Sequence, residues 1–262
     1  MNQLFHRSRR ALRRHRRIFS IAALVLAVAL IFWTVSSPAV VGVSAADRIL
    51  PIYCVQTEEK LCSLSFDAAW GNEDTQTLID ILDNYGVCAT FFVVGDWVDK
   101  YPESVKALAD AGHEVMNHSS SHAHFSSLST AEIVSDISAC NEKIAAITGQ
   151  TPILFRCPYG EYDDHVISAV NGLGMYAIQW DVDSLDWKEL SAEEITGRVL
   201  NNVSPGSIVL FHNAAIHTPE ALPGIIESLQ ADGYTIVPIS ALIYRDNYEM
   251  DHAGRQCPKN VV

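Results

Sequence analysis

The chain lacks acidic residues at its N-terminal end and has few basic residues over the rest. No Asp or Glu precedes Asp47, and beyond Arg17 only 11 basic residues accompany 31 acidic ones, so residues 47–262 carry a formal charge of −20. This scarcity of Lys and Arg excludes nucleic acid as a partner, because phosphate binding needs a basic surface. No glycine-rich nucleotide-binding pattern follows a predicted strand, and no CxxC pair occurs. These absences argue against nucleotide-binding folds and cysteine zinc sites.

The N-terminus has the pattern of a membrane-targeting segment. Seven of the 18 basic residues are arginines between Arg7 and Arg17, and eighteen uncharged, mostly apolar residues follow from Ile18 to Val35. This run is just long enough to span a bilayer, and the arginines favour a cytoplasmic N-terminus. The sequence therefore predicts a basic cytoplasmic segment (1–17), a transmembrane anchor or signal segment (18–35), a linker (36–50) and an external catalytic-like domain (51–262). The alternative is secretion after cleavage near Ala45 or Ala46.

Six cysteines in an exported domain permit fifteen complete disulfide pairings, and the sequence does not choose among them. One local pair can be argued. If residues 52–55 and 61–66 form a hairpin, Cys54 lies opposite Cys62. Free, buried thiols are the alternative.

Beyond residue 60, short apolar runs alternate with helical patterns that carry start and stop signals. Capping boxes begin two of the helices, at Ser129 with Glu132 and at Ser191 with Glu194. This alternation predicts parallel strands with crossover helices, and we expect an irregular (β/α)7 barrel resembling a TIM barrel. The polar tail from Asp246 is expected to be a surface segment. The seven predicted strands are 61–66, 88–94, 114–117, 153–155, 175–180, 207–211 and 235–239.

Polar side chains follow five of these strands. In a parallel barrel the carboxyl ends of the strands meet on one face, where active sites are built. Two histidines four residues apart, His118 and His122, have the spacing of metal ligands and leave positions open for water and substrate. Each of these residues also has a structural alternative. Asp67 would accept backbone hydrogen bonds in a turn, Arg156 would form a structural ion pair, and His212 would pack in the core. The residues at strand ends are Asp67, His118, Arg156, Asp181 with Asp183, and His212.

These residues lie in five segments whose order resembles that of the polysaccharide deacetylases, carbohydrate esterase family 4. The resemblance covers about residues 58–245. The Asp-Ala-Ala-Trp-Gly form at 67–71 and the closing His-Asn-Ala at 212–214 further resemble the branch found in spore-forming bacteria, which is usually membrane-anchored and assigned to cell-wall glycans. The five segments are 65–71 (Ser-Phe-Asp-Ala-Ala-Trp-Gly), 118–122 (His-Ser-Ser-Ser-His), 156–160 (Arg-Cys-Pro-Tyr-Gly), 183–187 (Asp-Ser-Leu-Asp-Trp) and 210–212 (Leu-Phe-His).

The resemblance implies a metal-dependent hydrolysis of acetamide groups on N-acetylated amino sugars. His118 and His122 are the implied ligands of a divalent ion, zinc or alternatively Co, Ni or Mn. Asp67 is the implied general base, supported by Arg156, and His212 the general acid, oriented by Asp186. A backbone N–H near Tyr159 is implied to stabilise the oxyanion. Trp187 and Leu210 are implied to wall the groove.

The chain departs from the family at Ala68. Family members usually carry a second aspartate there as the third metal ligand, and a methyl group cannot coordinate a cation. Water, Glu73 or Asp74 are the candidates to complete the ligand set. The departure supports a second hypothesis, a glycan-binding or weakly active protein that kept the groove. A small-molecule amidase is a third.

Overall fold

A computed structural model of the chain describes residues 48–259 together with Leu26. The chain divides into two units, Met1–Arg48 and Ile49–Val262. None of the helices in the described part is both long and apolar enough to cross a bilayer. The predicted anchor at 18–35 falls outside the described residues except for Leu26.

The described residues contain eleven short strands, and each of the seven predicted strands is among them. Several are shorter than predicted, because the apolar runs continue into loops or into the next helix. The strands are β1 (Cys54–Val55), β2 (Leu61–Ala68), β3 (Thr90–Val93), β4 (Glu114–Asn117), β5 (Leu154–Phe155), β6 (Tyr176–Ala177), β7 (Val182–Asp183), β8 (Ser207–His212), β9 (Thr235–Ile236), β10 (Tyr248–Met250) and β11 (Arg255–Pro258).

The strands form one curled and mainly parallel sheet. From β8 the order runs β2-β3-β4-β5-β6, and all of these neighbours pair in parallel. The chain then continues from β6 into β7, which pairs in parallel with β8. The chain thus returns to the strand where this order began, while no pairing joins β6 to β7 in the described part of the chain. The predicted α/β class with parallel strands is confirmed as a curled α/β sheet.

Helices cover the outside of this sheet, and two of them begin at the predicted capping boxes. Ser129 and Ser191 each accept the N–H of the Glu three residues later, and both glutamates return a hydrogen bond. The helices are α1 (Thr75–Asn84), α2 (Gly95–Lys100), α3 (Pro102–Asp110), α4 (Thr130–Thr148), α5 (Asp164–Gly172), α6 (Ala192–Leu200), α7 (Thr218–Ala231) and α8 (Ile239–Leu242).

Alternation along β2 decides which residues face the site. The even-numbered residues from Cys62 to Ala68 belong to the main apolar cluster between the sheet and the helices. There Phe66 stacks on Phe91 and Phe211 of the neighbouring strands, with ring centroids 4.8 and 5.4 Å apart. Ser65 and Asp67 contact other polar residues instead. Period-two alternation therefore places Asp67 on the inner face, whereas Ala68 is the last residue of the strand and packs against the apolar cluster.

The expected hairpin between residues 52–55 and 61–66 is wrong. Strand β1 pairs with β8 and β11 rather than with β2, and β8 lies between the two expected partners. Gly206, at φ +86°, permits this close approach, because a Cβ there would clash with the Val55 carbonyl. Cys54 and Cys62 both pair in register with Ser207, from opposite sides. All six cysteines are free thiols.

The C-terminal tail is also more than the expected surface segment. Strands β10 and β11 form an antiparallel pair, and β11 adds to β1 in parallel. Gln256 is fully buried, and its side-chain amide accepts the N–H of Tyr244 and donates to its carbonyl. The tail therefore extends the sheet. The polar composition of the tail did not indicate this strand, because a polar side chain such as Gln256 can be buried when backbone groups satisfy its hydrogen bonds.

Candidate active site

A pocket of about 600 Å³ opens at the carboxyl ends of the parallel strands. The structure brings together there almost every residue selected from the sequence. Arg156 lies beneath it, fully buried and bonded to Asp67. The lining includes Asp67, His118, His122, Tyr159, Asp186, Trp187, Leu210 and His212.

Asp67 is a buried carboxylate held by a buried arginine. Arg156 Nη1 donates to Asp67 Oδ1 over 2.8 Å, and Nη2 donates to Ser65 Oγ and to the Gln179 carbonyl. The guanidinium also lies 4.2 Å from the ring centroid of Phe92. Burial opposes ionisation of Asp67, but the positive charge and the hydrogen bond of Arg156 outweigh it, and the pKa of Asp67 is lowered. Asp67 is therefore an ionised carboxylate at neutral pH.

His118 and His122 face the same region with their ring centroids 5.0 Å apart. His118 Nδ1 lies 2.8 Å from the Arg156 carbonyl, which can only accept, so Nδ1 carries the hydrogen. The Nε2 lone pair then faces Asp67 Oδ2 at 3.5 Å. Burial lowers the pKa of His118, and burial followed by the nearby His118 lowers that of His122 to about 4. Both rings are neutral and able to bind a cation.

The loop between these histidines is strained and externally clamped. Ser119 and His122 have positive φ values of 72° and 56°, a region that is unfavourable for residues with a side chain. Ser119 Oγ accepts the His122 N–H, and the Asn117 side chain accepts the N–H of Ser119. Asp136 on α4 accepts the N–H of Ser120 over 2.6 Å. These contacts turn the two rings toward one point.

His212 is oriented by a buried carboxylate. Its Nδ1 lies 2.8 Å from Asp186 Oδ1, and its backbone N–H donates to Asp186 Oδ2. The hydroxyl of Thr218 and the N–H of Trp187 complete the hydrogen bonds to Asp186. Burial opposes protonation of His212, but the bond to Asp186 and the charge of Asp67 outweigh it, so its pKa is raised. His212 Nε2 is left for a ligand.

Aromatic side chains form the rim of the pocket. Tyr159, at φ 59°, and Trp187 are more than half exposed although both line it. Leu210 is buried at the pocket wall. Tyr159 packs against His122 with ring centroids 4.5 Å apart and stacks on His124. An exposed aromatic rim over a polar floor suits a ligand with both apolar faces and polar groups.

Neither acidic candidate for a third ligand reaches the histidines. Among the described residues that line the pocket, Glu73 and Asp74 are both missing. Asp74 Oδ2 instead accepts the N–H of Ala214 over 2.8 Å. Ala68 is buried among apolar side chains. In this arrangement neither Glu73 nor Asp74 lines the pocket with the histidines, and water is the other candidate to complete the ligand set.

Two of the lining residues that were not predicted as site residues, Trp70 and Asn213, contact the catalytic candidates or their loop. Trp70 lies at the rim, and Asn213 lies beside His212 and bonds the loop that carries Trp70. Trp70 lies within the segment 65–71, and Asn213 directly follows the segment 210–212. Exposed tryptophan and buried asparagine are too common for spacing to reveal their roles, so three-dimensional contacts were needed to identify them.

The residues fit a divalent ion in part. Within the described part of the chain, no group of three or more His, Cys, Asp or Glu side chains is arranged as a metal site. The two neutral imidazoles are suitable donors, and the His118 tautomer is fixed by the Arg156 carbonyl, as is usual for a metal ligand. The facing lone pairs of His118 Nε2 and Asp67 Oδ2 also favour a cation nearby. The described residues therefore offer two imidazole rings suited to a cation, and the methyl group of Ala68 offers no donor.

Comparison with known proteins reveals close relatives. A family profile described as polysaccharide deacetylase matches residues 55–178. The chain is 31% identical to the peptidoglycan-N-acetylmuramic acid deacetylase PdaA of Bacillus subtilis, over 77% of this chain and 78% of the relative. It is 33% identical to a peptidoglycan-N-acetylglucosamine deacetylase of Bacillus cereus, over 69% and 67% of the two chains.

A solved structure of a Bacillus anthracis protein, described as a carbohydrate esterase family 4 pseudoenzyme, is also similar. It aligns with a TM-score of 0.71 and 33% identity over 80% of this chain and 73% of that one. In two other curated relatives, both from Bacillus subtilis, the chain spans only 60% and 40% of their length. The resemblance inferred from the five motifs is confirmed, and the chain belongs to the polysaccharide deacetylase family.

Proposed function

We propose that this protein removes acetyl groups from N-acetylated amino sugars of cell-wall glycan, peptidoglycan or a related polymer. The observation that carries the proposal is the placement of Asp67 with Arg156, His118 with His122, and His212 with Asp186 around one pocket. This set provides an ionised base, two neutral imidazole ligands and a protonatable acid. Relatives named as peptidoglycan deacetylases support the substrate class.

His118 and His122 hold the divalent ion in this proposal, with zinc as the first candidate and Co, Ni or Mn as alternatives. When bound, such an ion supplies Lewis-acid polarisation and stabilises negative charge. Strain in the loop from Ser119 to His122 and the Asp136 clamp keep both imidazoles in place before any ion arrives. Preorganisation offsets part of the affinity that a missing third protein ligand costs.

Asp67 accepts a proton from the attacking water as the oxygen bonds to the acetamide carbon. Arg156 keeps the carboxylate ionised and fixes Oδ1, which leaves Oδ2 directed toward His118. The N–H near Tyr159 is assigned to the developing oxyanion, and Trp187 and Leu210 to the walls around the acetyl group.

His212 donates a proton to the sugar nitrogen as the carbon–nitrogen bond breaks. Acetate and a free amine are the products, so one water is consumed for each acetyl group. Asp186 holds the imidazole in the orientation that presents Nε2 to the pocket and favours the protonated ring. The same carboxylate bonds the His212 backbone, so side chain and strand end move together.

Two observations support a second candidate function. Ala68 is buried among apolar side chains and contributes no ligand, and the chain resembles a protein described as a pseudoenzyme. A glycan-binding or weakly active protein retains the pocket and its aromatic rim without efficient turnover. A purely glycan-binding protein binds saccharide equally well with and without a chelator and releases no acetate, whereas a weakly active one releases acetate slowly.

Acetate release separates the two functions. The full-length protein is incubated with wall glycan fragments and one divalent ion at a time, and acetate is quantified. Hydrolysis predicts release that is lost on chelation and in Asp67→Asn and His212→Ala. Saccharide binding by both variants serves as the control for folding. Binding without acetate for every ion tested would favour the glycan-binding function instead.

We also propose that residues 18–35 anchor the protein in the cell membrane with the deacetylase domain outside. The arginines before Ile18 and the length of the uncharged run support this orientation. Membrane fractionation and N-terminal sequencing of the mature protein test it. An intact N-terminus in the membrane fraction supports an anchor, whereas a new N-terminus near Ala45 or Ala46 in the medium supports secretion.

A further inference from the structure

Trp70 is an exposed aromatic residue next to the reactive histidines. Its indole is 57% exposed although it lines the pocket. The ring centroid lies 6.0 Å from that of His122 and 6.3 Å from that of His212. The ring planes are inclined by 62° and 54°, so neither imidazole stacks parallel to the indole. Trp70 therefore stands between the residues assigned to ion binding and to proton donation.

Asn213 fixes the turn that carries Trp70. Its side-chain Oδ1 accepts the N–H of Ala69 over 3.1 Å and that of Trp70 over 3.4 Å. Its Nδ2 donates to the Gly71 carbonyl, and its own backbone N–H donates to the Asp67 carbonyl. Asn213 is 4% exposed. One buried amide thus bonds three consecutive residues of the turn.

Further contacts brace the same turn. Trp97 Nε1 donates to the Gly71 carbonyl over 3.0 Å. Ala214, at φ 56°, donates its N–H to Asp74 Oδ2. Hydrogen bonds from Asn213 and from Ala214 therefore join the segment after β8 to the segment after β2. The exposed indole is held in place by its backbone, although its ring is not buried.

We infer that Trp70 is a sugar-stacking platform beside the reacting centre, and that Asn213 is the positioning residue that fixes it. This inference rests on the proposed function and adds a contact that selects pyranose rings. One face of a pyranose carries axial C–H groups and is apolar, and it gains by covering an exposed indole. A preordered platform contributes to affinity because little side-chain freedom is lost on binding.

Binding of tetra-N-acetylchitotetraose tests the platform separately from hydrolysis. Isothermal titration calorimetry of the full-length protein with this tetramer is compared for wild type, Trp70→Phe and Trp70→Ala. We expect Trp70→Ala to weaken binding about tenfold and Trp70→Phe to weaken it less, because the smaller ring retains part of the surface. Unchanged affinity in Trp70→Ala overturns the platform.

The positioning role of Asn213 has a matched control within the chain. Asn213→Asp retains the acceptor but replaces the donor to Gly71 with an oxygen, at almost constant volume. Gln256→Glu makes the same change at another buried amide, which holds backbone groups of Tyr244 far from Trp70 in sequence. Both variants lose a buried hydrogen bond, so general destabilisation affects both.

The readout is ¹⁹F NMR of 5-fluorotryptophan-labelled protein, with the Trp70 signal assigned by Trp70→Phe. We expect Asn213→Asp to shift or broaden this signal and to weaken tetramer binding, whereas Gln256→Glu changes neither. Equal effects of the two variants, or an unchanged Trp70 signal in Asn213→Asp, overturn the positioning role.

Acetate release from wall glycan fragments, with one divalent ion supplied at a time, is measured for the same variants to distinguish the two proposals. Tetramer binding that depends on Trp70, without acetate release, overturns the proposed hydrolysis and retains the platform. Acetate release that is unaffected by Trp70→Ala overturns the platform and retains hydrolysis. If the wild type does not bind the tetramer, the platform is overturned.

Discussion

Arg156 and Asp67 form a buried ion pair, with Nη1 2.8 Å from Oδ1 and the side chains 0% and 7% exposed. The two residues come from strand ends 89 positions apart in the sequence. Their pairing explains how a carboxylate on the inner face of the sheet stays ionised despite burial. The same bond leaves the second carboxylate oxygen oriented toward His118.

Replacing Arg156 tests this pair. Arg156→Met leaves Asp67 buried without its partner, so we expect a loss of about 3–5 kcal/mol in the free energy of unfolding at neutral pH. Urea unfolding measures it. Because the folded pKa of Asp67 is lowered, its contribution is present above the unfolded pKa and disappears as pH falls through the folded value. The variant's deficit should therefore shrink in acid, and a deficit that does not depend on pH contradicts the assignment.

Asp186 sets the protonation of His212. Its hydrogen bond raises the pKa of His212 against the effect of burial, so Asp186→Asn should lower that pKa. Because the pKa of His212 is raised in the folded protein, the protonated ring stabilises the fold below the unfolded-state pKa, and this stabilisation is lost as pH rises through the folded-state pKa. We therefore expect the alkaline limb of acetate release and the NMR titration of His212 both to move to lower pH.

Asp183→Asn is the control for this shift. Asp183 lines the same pocket but accepts from the Leu185 N–H rather than from His212. Asp183→Asn should therefore change the pKa of His212 less than Asp186→Asn does. Equal shifts would mean that charge alone, without the hydrogen bond, governs the imidazole.

Ala68→Asp tests the missing ligand. A carboxylate at this buried position is costly unless it reaches a cation, so we expect a loss of about 1–3 kcal/mol without metal. Zinc at a hundredfold excess over the Kd of Ala68→Asp should stabilise that variant by about 2.7 kcal/mol, and the same zinc concentration should stabilise the wild type less. Thermal unfolding with and without zinc measures this. Ala68→Asn, without the charge, should show no such gain, and equal zinc responses in both variants contradict the ligand role.

The clamp on the histidine loop makes a separate prediction. Asp136 holds the Ser120 N–H and contacts the Ser121 hydroxyl, so Asp136→Ala should let the strained loop relax. We expect zinc affinity to fall about tenfold, within the range found for residues that support metal ligands. Competition with a chromophoric chelator measures it. Asp110→Ala, which removes only a surface ion pair with Lys106, should leave zinc affinity unchanged.

The sequence predicted those parts of the molecule that local rules determine. The capping boxes at Ser129 and Ser191 and the β2 segment followed from short-range patterns, and Asp67 and His212 followed from their positions at strand ends. The pairing of β1 with β8 rather than with β2 depends on a close approach at Gly206, which no local pattern encodes. The role of Asn213 depends on backbone groups 142–144 residues away. Long-range contacts of this kind required the fold.

The stoichiometry of the products tests the central claim most directly. The full-length protein, supplied with one divalent ion, is given N-acetylated wall glycan, and acetate and new amino groups are counted together. Hydrolysis of the acetamide predicts equal amounts of both, increasing with time and eliminated by Asp67→Asn. Glycan that is bound but yields neither product with Zn, Co, Ni or Mn would contradict a deacetylase.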